Sequence, residues 1–156
     1  MIGALWRSPA RWLAGLLLLA ACQSPSADDD ALELTPLAGP ALHEVLTTHT
    51  LARSGGTLWQ AWDYVSLHRS DGSTSSGSMT GRVAWSGEEQ VGHGTWELTP
   101  DGLYCRTWAN EWGGGKRGCF RVAGAPQMIV FDYVSGSRGN AEHYVYRLVP
   151  GNPYGL

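Results

Sequence analysis

The chain lacks nearly every short signature by which an enzyme is read from sequence. There is no His-Glu-x-x-His pair, and the histidines at 43, 49, 68, 93 and 143 are scattered. No Gly-x-x-x-x-Gly-Lys phosphate cradle occurs, so the glycines read as turn and strand-packing residues. Ser135-Gly136-Ser137 has no preceding Gly-x to build a nucleophile elbow and lies in a Gly/Ser turn. Glu88-Glu89 is a pair of neighbouring acids in a turn, and Glu142 and His143 fall on opposite faces of the last strand. The expectation is a non-catalytic protein without cofactor or metal. A long apolar run is missing too, since Trp12 to Ala21 is too short to cross a bilayer as a helix. No helix-length segment separates consecutive strand candidates, which excludes a parallel α/β architecture. No internal repeat is evident.

What stands at the N-terminus is an address. Arg7 and Arg11 form a basic region, Trp12 to Ala21 an apolar one, and Leu19-Ala20-Ala21-Cys22 closes it. This pattern resembles the lipobox of bacterial lipoproteins. The resemblance implies diacylglyceryl transfer to the Cys22 thiol and cleavage before it, so residues 1–21 read as a signal peptide. Gln23 after the cysteine, where inner-membrane lipoproteins of this type carry Asp, implies passage to the outer membrane, with the domain in the periplasm. Loss of Arg7 and Arg11 leaves nine basic against fourteen acidic side chains, a net charge of −5. A mildly acidic domain is a poor partner for nucleic acid, which needs a basic field.

Residues 22–38 read as a flexible tether, because Gln23 to Asp30 is polar, Pro-containing and acidic. A β domain is expected over 39–150, with 151–156 as a tail. It opens on a short helix: Gly39-Pro40 offers a proline start, and Leu42, Val45 and Leu46 share one face. After Gly55-Gly56 the texture turns to β, beginning with the aromatic and branched stretch Thr57 to Arg69. Met79, Val83 and Trp85 alternate with polar residues, and Trp96 and Leu98 share a face of the next strand. Ser70-Asp71-Gly72-Ser73 and Thr99-Pro100-Asp101-Gly102 are turn signals. Leu103–Trp108, Gly118–Ala123, Gln127–Val134 and Glu142–Val149 complete the set. The fold class is mainly β: an antiparallel meander of about seven strands forming a small barrel or curved sheet, with one short N-terminal helix.

Cys105 and Cys119 remain after the lipidated cysteine. In an oxidising compartment an even pair reads as a disulfide, here between neighbouring strands flanking Gly113-Gly114-Gly115. Two buried free thiols or half of a metal site are the alternatives, and no histidine lies between or near them. Of the tryptophans beyond the signal, Trp59, Trp62, Trp85, Trp96, Trp108 and Trp112, most read as core. Trp112 sits beside the glycine run. With Trp108, Lys116 and Arg117 it is the candidate rim for a ligand or partner, unless those cations only stack structurally on indoles.

Gly94-Thr95-Trp96, Asp101-Gly102, Cys105, Trp108 and Cys119 resemble a family of small exported proteobacterial proteins of unknown function. Thr48-His49-Thr50-Leu51 and Asp71-Gly72 are similar to the N-terminal half of that family, so the likeness covers about residues 42–123. It implies an architecture and a periplasmic setting but no mechanism. Two functions are therefore expected. The first is a membrane-anchored lipoprotein binding a small apolar or amphipathic ligand or envelope component. The second docks a protein partner or inhibits a secreted enzyme.

Overall fold

Among the described residues, nine strands and one helix of more than a single residue follow each other in a computed structural model. It describes residues 33–56, 61–109, 112, 114–137 and 142–156. The elements are β1 (Thr35–Leu37), α1 (Gly39–Thr48), β2 (His49–Gly55), β3 (Trp62–Ser70), β4 (Ser76–Trp85), β5 (Glu88–Leu98), β6 (Tyr104–Trp108), β7 (Arg117–Ala125), β8 (Met128–Gly136) and β9 (His143–Pro150). From β2 to β9 each strand pairs antiparallel with the next, and β9 pairs back onto β2 through Thr50↔Val149 and Leu51↔Leu148. Eight strands thus close into an up-and-down barrel, which removes the free edges an open sheet would leave. The ninth, β1, lies on β7 beyond the point where β6 leaves it: Leu37 faces Val122, while Tyr104 of β6 faces Phe120. All of these elements belong to one compact unit, Ala31–Leu156.

The expected mainly-β architecture with one short helix is therefore present, and the barrel is closed. Two strands exceed the expected seven. β2 runs on from α1 without a loop, and β1 falls inside 22–38, the stretch read as tether. There Thr35–Leu37 finds hydrogen-bonding groups on β7 that local composition does not reveal. Residues 1–21, read above as a signal peptide, as well as Cys22 and Trp59, lie outside the described residues. The tail is held down as well. Gly151 N donates to Thr48 O at 2.8 Å, Thr50 Oγ1 donates to Gly151 O at 2.6 Å, and the Arg69 guanidinium donates to the Leu156 carbonyl.

Pleat alternation sorts the side chains, since successive residues of a strand point to opposite sides of the barrel wall. Tyr104, Arg106 and Trp108 of β6 face inward, as do Trp96 and Leu98 of β5, Phe120 and Val122 of β7, and Ile129 and Phe131 of β8. α1 starts with Pro40 in its first turn and lays Leu42 and Leu46, both fully buried, into the end of the barrel where β2 begins. Burying each leucine contributes about 1.5–3 kcal/mol. Trp96, Tyr104, Phe120 and Phe131 fill the layer beneath them. That half of the barrel is solid.

Candidate functional site

At the opposite end, where β2, β4 and β6 finish and β3, β5 and β9 begin, the interior is hollow. The cavity has a volume of about 780 Å³. Its wall is largely aromatic: Trp62 and Tyr64 from β3, Trp85 from β4, Trp108 from β6, and Tyr144 and Tyr146 from β9. Val83, Ser86 and Gln90 fill in between. Each wall side chain reaches the cavity because its strand parity points inward near a strand end, so a rim of rings forms without any long loop.

Trp112 supplies one more ring from the β6–β7 connection. Its backbone N–H donates to Ala109 O at 3.1 Å, and Gly115 N donates to Trp108 O at 3.1 Å, which turns this stretch back over the mouth. The indole comes to rest on two inward-facing glycines. A methyl group at Gly92 would sit 2.5 Å from Trp112 Cδ2, and one at Gly81 would sit 2.7 Å from both Trp112 Cζ3 and Trp108 Cη2. The missing side chains of β4 and β5 are thus the seat for the ring. Trp108 and Trp112 lie 4.9 Å apart between centroids, and Tyr64 lies 5.9 Å from Trp112.

Two arginines enter this aromatic lining. Arg106 stands at the floor, one inward position above the fully buried Tyr104 and one below Trp108. Its Nη1 donates to Tyr146 Oη at 3.3 Å, and its guanidinium carbon is 4.9 Å from both the Phe120 and Tyr144 rings. Arg53 of β2 lies nearer the mouth, 5.2 Å from the Trp62 ring and 5.3 Å from the Tyr144 ring. Such cation–ring contacts position a guanidinium but leave its N–H groups available. No carboxylate is paired with either arginine among the described residues.

Below the floor lies a neutral polar pair. His68 Nε2 is 2.8 Å from Tyr104 Oη, while His68 Nδ1 is buried without a partner. Burial, helped by the Arg106 charge, pulls the His68 pKa down from 6.5 to about 3, so the ring is neutral at physiological pH. Burial likewise pushes the Tyr104 and Tyr64 phenols up, which keeps both hydroxyls protonated. The site therefore offers hydroxyl donors, aromatic faces and two fixed cations.

The four candidate rim residues separate. Trp108 and Trp112 line the cavity. Lys116 and Arg117 are exposed and do not line it. Arg117 has the outward parity of β7 and its Nε donates to Glu97 Oε1 at 2.6 Å. Cys105 and Cys119 are direct partners across β6 and β7, with Cα atoms 4.1 Å apart, and are joined by a disulfide at the root of the connection that carries Trp112. That separation suits a non-hydrogen-bonded antiparallel pair. Arg53, Arg106, Trp62, Tyr64, Trp85, Tyr144 and Tyr146 escaped the sequence reading as site residues. One signal was there for Arg106: it alternates with Tyr104 and Trp108, so a single parity puts the cation among rings.

Among the described residues no group of three His, Cys, Asp or Glu side chains is placed to hold a metal ion. His143 Nδ1 pairs with Asp132 Oδ1 at 2.6 Å on the exposed outer wall, away from the cavity. No protein-family model, curated protein or solved structure matches the chain.

Proposed function

We propose that this protein is a non-catalytic lipoprotein of the cell envelope whose barrel mouth binds a small apolar or amphipathic ligand. The observation that carries the binding role is the ring-walled cavity of about 780 Å³ above a solid core. Its size falls within the range of small-molecule sites, roughly 300–1,000 Å³, and its apolar wall with few polar groups has their usual composition. The anchor rests on Leu19-Ala20-Ala21-Cys22, with lipid on Cys22, outer-membrane placement and a periplasmic barrel. Docking of a protein partner draws less support. Leu34, Val91 and Val145 are the exposed large apolar residues among those described. Val91 on β5 and Val145 on β9 are separated by three intervening strands, so they form no contiguous patch.

Native mass spectrometry of the chain from Gln23 onward, expressed in the periplasm without lipid, tests the reading. The expected result is an adduct that leaves on denaturation and whose mass narrows its chemistry. A bare mass, together with no fluorescence response to the neutral probe 1-pyrenebutanol, would replace ligand binding by partner docking.

A further inference from the structure

The cavity is cationic inside an acidic protein. Beyond the signal the chain carries a net charge of −5, yet among the described residues the cavity lining includes Arg53 and Arg106 and no Asp or Glu. A guanidinium withdrawn from bulk water is unfavourable unless an anion or a full set of acceptors meets it. Arg106 has one such acceptor, Tyr146 Oη on Nη1, and two aromatic faces. Among the described residues its Nε and Nη2 have no protein acceptor, and neither is shut away from the cavity space as His68 Nδ1 is. That free edge is the one that meets a carboxylate through two parallel hydrogen bonds.

We infer that the cavity takes an amphipathic carboxylate, its head seated on the free edge of Arg106 and its flat apolar body directed outward between Trp62, Trp85 and Trp112. This rests on the ligand-binding reading above and adds the charge and orientation of the ligand. The head-inward orientation follows from position, because Arg106 stands on the cavity floor while the tryptophans crowd the mouth. Arg53, held between Trp62 and Tyr144 nearer the entrance, draws the anion in and lies beside its path. The aromatic wall favours a planar body over a flexible chain, since ring faces stack on flat surfaces. Tyr146 already accepts from Nη1 of Arg106, so the Nε–Nη2 edge is the one that the carboxylate meets.

A matched pair of probes separates this inference from the one beneath it. 1-Pyrenebutyrate and 1-pyrenebutanol share a flat body and differ in the charge of the head. Fluorescence titration of the chain from Gln23 onward is expected to show the acid binding about tenfold tighter or more, a preference that shrinks as salt is raised. In Arg106→Gln the preference collapses, the acid falling to within about twofold of the alcohol. Should that variant fail to fold, Arg53→Gln at the rim lowers the preference for acid over alcohol by about threefold. Equal affinity of the wild-type protein for acid and alcohol would overturn the anionic head and leave the cavity reading standing. Binding of neither probe would overturn both.

Discussion

Trp96 and Trp112 are both indoles inside one barrel, and they meet opposite surroundings. Trp96 is 2% exposed, its Nε1 donates to Ser78 O at 3.0 Å and Arg69 O at 3.3 Å, and the rings of His43 and His68 pack against it. Trp112 reaches the opposite end from a connection between strands, leans on two glycines and borders empty volume. The difference lies in what each end receives from the rest of the chain. α1 brings Leu42 and Leu46 to the first end and completes the core. Among the described residues, the mouth receives one partly buried ring, Trp112, and aromatic surface there borders the cavity. A barrel wall of one residue chemistry thus becomes core or open cavity according to whether another element fills it.

The comparison breaks most visibly on tryptophan removal. Trp96→Ala should cost about 3–5 kcal/mol in urea unfolding, because it empties a packed site. Trp85→Ala, at the half-buried rim, should cost only about 1–2 kcal/mol. Equal losses would mean that the two ends are packed alike. Next in size is the disulfide. Cys105→Ser should lower stability by about 3 kcal/mol in the chain-entropy view, read as a drop in Tm against the oxidised wild type that reduction of the wild type reproduces.

His68 sharpens the contrast through pH. Its folded pKa of about 3 lies below the ordinary 6.5. The unfolded chain therefore takes up a proton at this site before the folded one does, and stability is lost as pH falls from about 6.5 toward 3. This group alone contributes up to about 1.4 kcal/mol per pH unit in that window. Denaturant titrations at pH 7, 5.5 and 4.5 should show a shallower pH dependence for His68→Gln than for wild type; parallel curves would place the titration elsewhere. Gly92→Ala tests the seat of Trp112 itself, and should cost about 1–3 kcal/mol if the ring stays in place and less if it swings out. Trp112 emission shifting toward that of an exposed indole identifies the second course.

Much of this architecture is legible along the chain. Pro40 with Leu42, Val45 and Leu46 marks the helix, and alternation from Met79 to Trp85 and the Thr99–Gly102 turn mark strands and their ends; the observed β3 to β9 occupy the expected stretches. β1 and β2 escape for different reasons. Thr35-Pro36-Leu37 is too short to show a period and exists through its pairing with Val122 to Gly124. β2 emerges from the last helical turn with no glycine or proline between Thr48 and His49. Closure is the least visible feature, since it joins Thr50 to Val149 across almost the whole domain. The site follows the same logic. Trp108 and Trp112 stand out by composition, Lys116 and Arg117 stand out by charge but Arg117 points outward by strand parity, and Arg106 is hidden until the same parity turns it inward.

The most direct test of the filled and open ends is one nuclear magnetic resonance titration of the ¹⁵N-labelled chain with 1-pyrenebutyrate, read at the tryptophan indole N–H signals. The signals of Trp62, Trp85, Trp108 and Trp112 should move together and saturate, while that of Trp96 stays in place. Movement of Trp96 with the rest, or of none of them, would contradict an open binding end set above a closed structural one.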